Sequence, residues 1–241
     1  MNTPVIMARI AEVSPRFKAR MAGVLYVLSS LAYGFGELFV LGKLVVQGDA
    51  AATANNILAH QPLFRLGFAA AIIATACYMA VMALFYDLFK PVNRRLSLLA
   101  AFFSLVGCAI QAFGSLFQLA PLVVLRGGQY LSVFKVEQLQ ALACMFLELS
   151  AQAFNIGIVF FGFYCVLIGY LIFRSTFLPR IVGALMVLAG LGYLTLLSKL
   201  LADYLFPYNL APGALGETSL MLWLLVIGVN NQRWKQQAGA A

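Results

Sequence analysis

Of the chain's 241 residues, 63% are hydrophobic and only 10% are charged, and the mean hydropathy is +0.93, a balance that belongs to an integral membrane protein rather than a soluble domain. The net charge of +8 is therefore not a nucleic-acid footprint, which would need a basic soluble face. Apolar runs and short loops take up these residues, so they leave no room for a separate soluble domain.

A membrane crossing needs about 20 mostly apolar residues to traverse roughly 30 Å of hydrocarbon. Six runs qualify, near 22–46, 63–89, 96–125, 139–173, 181–206 and 216–230, so the expected fold is an all-α bundle of six transmembrane helices. The first run follows a basic stretch, as a signal peptide would. At about 25 residues it exceeds the 7 to 15 of a cleavable apolar region, and it reads as a retained span. Residues 1–20, which contain Pro4 and Pro15, read as an N-terminal tail, 21–231 as the transmembrane domain, and 232–241 as a C-terminal tail. Lys and Arg accumulate on the cytoplasmic side of short loops. With both termini cytoplasmic, eleven of the sixteen basic residues fall inside, and six of the eight acids fall at the outer ends.

The loops carry their own signals. In "QGDAAATANNILAHQPLFR", Asp49 is a good N-cap, the alanines favour helix, and Pro62 suits a first helical turn, predicting a short helix before span two. "LFKPVNRRL" and "IFRSTFLPRI" turn the chain with basic residues and a proline, and Gly127 and Gly128 break span three. Spans one and five align without gaps at "GVLYVLSSLAY" (23–33) and "GALMVLAGLGY" (183–193). Apolar helices resemble one another by composition, so duplication is one reading of this match and chance the other.

No cofactor is expected. Cys77, Cys108, Cys144 and Cys165 all fall in spans with no CxxC spacing, and His60 is the single histidine, so the usual His and Cys metal sets are missing. Neither a Gly-rich phosphate loop nor a GxSxG turn is present.

The informative residues are polar ones inside the spans, read at helical spacing. Tyr26, Ser30, Tyr33 and Glu37 share a face of span one. Span three carries Ser104, Cys108, Gln111, Ser115 and Gln118, span four carries Glu148, Gln152 and Asn155, and span five carries Thr195, Lys199 and Asp203. Groups that lipid cannot satisfy should face the bundle interior. There Tyr33, Glu37, Gln111, Gln118, Glu148, Gln152, Asn155, Lys199 and Asp203, with Arg65, are candidates for lining a cavity that opens outward. The plainer reading is structural: Ser, Gln and Asn commonly bond membrane helices together at about 0.6 kcal/mol each, and Lys199 and Asp203 stand at ion-pair spacing. A central carboxylate costs roughly 2.5 to 3.5 kcal/mol on insertion scales, so Glu37 needs a partner, with Lys199 or Arg65 the expected cation.

The segments "GDAAATANNI", "FRLGFAA", "KPVNRRLSLLAAFFSLV" and "GYLIFRSTFLPRIVGALMVLAGLGYL" resemble the bacterial membrane family catalogued as domain of unknown function 4386, from about Arg20 to about Leu205. The resemblance implies a compact multi-pass helical protein of the bacterial cell membrane and assigns no activity, cofactor or catalytic residue. Three functions follow from the residues: binding or transport of a small or amphiphilic molecule, a regulatory or scaffold subunit, and an intramembrane enzyme acting on a lipid or isoprenoid through Glu37 or Glu148. The first is preferred, because no nucleophile or metal set supports the third. The expected partners are membrane lipids, a small-molecule or lipid ligand and, since six spans are few for a transporter, a second copy in a homodimer.

Overall fold

A computed structural model describes residues 14–239, and among them it contains helices and turns but no strand. Ser14 opens the first helix by accepting a hydrogen bond from the Phe17 N–H at 3.2 Å, with Pro15 in the first turn, where its missing N–H costs nothing. Helix α1 then runs Pro15–Leu44. Residues 15–20, expected as tail, are thus its first turns; the rest of that expected tail, 1–13, lies outside the described residues. Within α1, Gly34–Leu41 is π-helical, a rare widening of the helix that is often associated with functional sites.

The short helix expected after Asp49 is present as α2, Ala50–Ala59, with the Asp49 carboxylate accepting from the Ala52 N–H at 2.8 Å. Helix α3 spans Gln61–Phe89 and begins at Pro62. Asn93 caps α4, Arg94–Arg126, through the Leu96 N–H at 3.0 Å, and Gly127 at φ +66° ends it in a conformation that favours glycine. Helix α5, Val136–Arg174, has 39 residues, or about 58 Å at 1.5 Å per residue, and so extends beyond the hydrocarbon.

The fifth run is not one helix. Helix α6 covers Arg180–Leu194, a 3-10 turn follows at Thr195–Leu197, and extended backbone at Ser198 starts a separate helix α7, Lys199–Leu205. The sixth span begins earlier than 216, because Pro212 opens it as Pro62 opens α3: α8 is Ala211–Val226. Gly228 at φ +74° then turns the chain into α9, Asn231–Gly239, bent from α8 by 102°. Most of the expected C-terminal tail is therefore helical, and residues 240–241 lie outside the described residues.

Helices α1, α3, α4, α5 and the segment Arg180–Leu197 are long and apolar enough to cross a membrane; α8, 16 residues and about 24 Å long, counts as a sixth span only with α9. The chain is a multi-pass membrane protein. Helix α1 packs on α3 and α8, α3 on α4, α4 on α5, α5 on α6, and α6 on α8, so six helices close a ring in chain order. Leu38, Leu116, Val123 and Ile181 are among the exposed apolar side chains that this arrangement leaves for lipid.

Glycines bring the seams close. A Cβ built on Gly169 would lie 2.6 Å from the Gly183 carbonyl oxygen, and one on Gly190 would lie 2.5 Å from that of Gly162. The α5 and α6 backbones thus approach at two points seven residues apart on each helix, the small-residue packing that associates helices without a hydrophobic drive. One end of the bundle is tied by side chains. Lys18 and Lys90 both pair with Asp87 at 2.8 Å, the Arg16 N–H donates to Asn231 Oδ1 at 2.9 Å, and the Trp234 indole N–H donates to the Leu88 carbonyl at 2.8 Å. Both described chain ends and the basic loops of α3–α4 and α5–α6 meet there.

Candidate functional site

On the axis of the ring lies a carboxylate that sequence reasoning did not single out. Glu217 stands seven residues into α8, about one and a half turns from its start. The Tyr26 hydroxyl of α1 donates to its Oε2 at 2.7 Å, and the Tyr193 hydroxyl of α6 donates to its Oε1 at 2.9 Å. The Cys165 thiol of α5 is 4.0 Å from Oε1, at the edge of a weak sulfur hydrogen bond. Three helices therefore hold one carboxylate, and each of its oxygens retains acceptor capacity. Tyr78 of α3 completes the group, 3.5 Å from the Tyr26 hydroxyl, its ring edge-on to those of Tyr26 and Phe161 with centroids 5.2 and 5.0 Å away.

Glu217 opens onto a cavity of about 200 Å³ to which all six helices of the ring contribute. Helix α1 supplies Ser29, Ser30 and Tyr33, and α3 supplies Thr75 and Tyr78. Gln111 enters from α4, Phe154 and Phe161 from α5, and Tyr193 from α6. The wall is hydroxyls, one amide and aromatic faces around a single carboxylate. Ser29 is itself satisfied by the Ala74 carbonyl at 2.8 Å and Thr75 by that of Ala71 at 3.0 Å, so Glu217 is the strongest acceptor on the cavity. Tyr33 and Tyr193, which correspond in the aligned segments of spans one and five, both line it.

Toward the end opposite the chain termini is a second, larger cleft of about 820 Å³, between the π segment of α1, the α1–α2 connection and one face of α5. Glu37, Asp49, Glu148 and Asn155 line it, and Cys144 is at its wall. Gln152 donates to Glu148 at 2.9 Å. Phe154 borders both spaces and stacks on Tyr33 at a centroid distance of 5.2 Å and 17° between planes. Phe154 is thus common to both walls, and Tyr33 lines the cavity side.

The sequence candidates thus divide. Tyr33 and Gln111 reach the central cavity; Glu37, Glu148 and Asn155 reach the cleft, with Gln152 bonded to Glu148 beside it. Gln118 is buried on α4 and lines neither space, and its Nε2 has no partner among the described residues. The span-three stripe does face inward, with Ser104, Cys108, Ser115 and Gln118 all buried. The span-five stripe does not exist as a face, since the chain breaks between Thr195 and Lys199: Thr195 turns back to the Gly192 carbonyl at 2.6 Å, and Lys199 and Asp203 are exposed on α7. Arg65 is exposed near the start of α3.

Among the described residues the ion pairs are those of Asp87, so Glu37 pairs with neither Lys199 nor Arg65, and Lys199 does not pair with Asp203. The reason is geometric. The break after Leu194 carries Lys199 off the bundle axis, and Glu37 makes no side-chain hydrogen bond within the described residues because its π turn faces the open cleft. Among the described residues no group of three His, Cys, Asp or Glu side chains is placed to hold a metal ion. Glu217 was missed because the sixth span was started at 216, which left it at the outer edge of that span rather than inside the bundle. The available signal was Pro212, which opens a helix as Pro62 does and moves Glu217 into the bundle.

A protein from the archaeon Archaeoglobus fulgidus, described as "Uncharacterized protein", is 23% identical over 150 residues, covering 62% of this chain and 76% of that one. No solved structure matches. The family described as "Domain of unknown function (DUF4386)" matches residues 21–228, from the early turns of α1 to the glycine that ends α8, so the chain belongs to that family.

Proposed function

We propose that this protein binds a small or amphiphilic molecule in the central cavity and that the cleft lined by Glu37 and Glu148 is the way in. The observation that carries this reading is that every helix of the ring places a side chain on the same cavity of about 200 Å³ around Glu217. A bundle serving only as a scaffold has no need of a partly accessible carboxylate on its axis, where insertion costs roughly 2.5 to 3.5 kcal/mol. A concave site with mostly apolar walls and a few convergent polar groups is the ordinary form of a small-molecule site.

The basic end of the bundle, which gathers Arg16, Lys18, Arg20, Lys90 and Arg180, is the cytoplasmic end by the positive-inside rule. The cleft then opens on the outer face of a cell membrane, and passage from it to the cavity requires the Tyr33 and Phe154 rings to separate. Native mass spectrometry of the detergent-extracted protein tests the reading by comparing wild type with Thr75→Trp, which fills the cavity. A retained small mass present in wild type and lost in the folded variant is expected; the same masses on both proteins would count against the cavity. The spectra also read whether the chain works alone or as a homodimer.

A further inference from the structure

We infer that the molecule taken up by this cavity is a small organic cation, a protonated amine whose ammonium group sits against Glu217 among the faces of Tyr33, Tyr78, Phe154 and Phe161. This rests on the binding reading above and adds the ligand's charge. The chain has sixteen basic residues and eight acidic ones, yet four of those acids, Glu37, Asp49, Glu148 and Glu217, line the cleft or the cavity, and no described Lys, Arg or His lines either. In a protein of net charge +8, the charged side chains that line the cleft and the cavity are thus all acidic. Low-dielectric walls focus that field and raise the local concentration of cations at the mouth.

At the end of the route the chemistry is also that of a cation site. Glu217 receives only two hydroxyl donors and one distant thiol, which leaves lone pairs facing the cavity, where an ammonium N–H can donate. Four aromatic rings, Tyr33, Tyr78, Phe154 and Phe161, line the same cavity, and rings of this kind attract ammonium groups through their quadrupole. An anion would meet a carboxylate with no counter-charge, and a neutral alcohol would gain the hydrogen bond without the charge. A bare metal ion would find one carboxylate and no further ligand set, consistent with the absence of a three-residue His, Cys, Asp or Glu cluster among the described residues.

Isothermal titration of the full-length protein in nanodiscs with benzylammonium chloride, benzyl alcohol and sodium benzoate, matched in size, tests this. Benzylammonium should bind at least ten-fold more tightly than benzyl alcohol, benzoate should not bind, and Na⁺ or K⁺ should not displace benzylammonium. Thr75→Trp should abolish all binding, and Glu217→Gln should remove the preference for the ammonium while leaving the alcohol unchanged. If the alcohol or benzoate binds wild type as tightly as the amine, or Na⁺ or K⁺ displaces it, the cation inference fails while the cavity reading stands. If no probe binds, both fail. Should Glu217→Gln not fold, the wild-type comparison still decides, and Glu37→Gln, whose side chain is without a partner among the described residues, should slow benzylammonium association several-fold with no change for the alcohol.

Discussion

Around Glu217 three helices converge on one carboxylate through two tyrosine hydroxyls and a thiol, and the neighbouring α5–α6 seam is closed by glycines. Glu37 instead stands on a π-helical turn of α1 and faces a cleft bounded by the α1–α2 connection and one face of α5, with no ion pair or side-chain hydrogen bond to the carboxylate among the described residues. Both groups are glutamates on membrane helices, so the difference lies in what surrounds them. A carboxylate enclosed by donors on separate helices is coupled to the packing of the whole ring; one on the wall of a wide cleft is coupled mainly to what enters. The first is tied into the packing of three helices, and the second is not.

The largest contrast should appear at the glycines. Gly190→Leu would put side-chain atoms where a Cβ alone already lies 2.5 Å from the Gly162 carbonyl oxygen. It should prevent the α5–α6 seam from closing and abolish the monodisperse elution peak. Gly42→Ala, beside the cleft, meets nothing nearer than the Glu37 carbonyl oxygen at 3.9 Å and should elute as wild type. Equal losses for both would mean that the cleft is as tightly packed as the core.

Next come the carboxylates themselves. Glu217→Ala strands the Tyr26 and Tyr193 hydroxyls and should cost about 1 to 3 kcal/mol in reversible unfolding, the usual penalty for leaving polar groups unpaired. Glu37→Ala leaves no protein partner behind and should stay within about 0.5 kcal/mol of wild type. If Glu37→Ala proved the more destabilising, the roles assigned to the two glutamates would be reversed.

Single hydroxyls should resolve finer steps. Tyr193→Phe removes the 2.9 Å bond to Glu217 and should cost about 0.6 to 1.7 kcal/mol, the range measured for interhelical hydrogen bonds in membranes. Tyr164→Phe removes a buried hydroxyl that has no partner among the described residues and should be neutral or slightly stabilising. The same unfolding assay ranks the two. The smallest effect is kinetic: a maleimide too bulky for the bundle core should label Cys144, which lines the cleft, faster than Cys165, which is fully buried, as mass spectrometry of a time course would show.

Much of the fold was legible in residue order because membrane helices announce themselves by length and hydropathy, and because caps act locally. Asp49 and Pro62 placed α2 and the start of α3, and the glycines after Arg126 ended α4. Where the reading failed, a local signal was outvoted or overlooked. The fifth run stays apolar through 206, but the backbone turns at Thr195 and Ser198, and Lys199 and Asp203 leave the bundle with it. The sixth span was opened a turn and a half late despite Pro212, which left Glu217 at its edge rather than inside the bundle. The polar stripe pointed inward as expected on α4, but on α1 Tyr26 is buried while Ser30 is exposed, and on α5 Glu148, Gln152 and Asn155 are exposed, because which face turns inward depends on helix rotation and on the ring's order.

The sequence by itself determined that the chain is a multi-pass helical membrane protein of the DUF4386 family, and that Tyr33, Gln111, Glu37 and Glu148 were polar groups needing an interior. These follow from short-range physics: hydropathy along a helix, spacing on its face, and the chemistry of caps. Only the tertiary structure decided that Glu217 is the central carboxylate, that Tyr26 and Tyr193 hold it, and that Phe154, stacked on Tyr33, borders both cleft and cavity. Those depend on side chains up to 191 residues apart in sequence meeting across helices, and no local pattern encodes the closing of a ring.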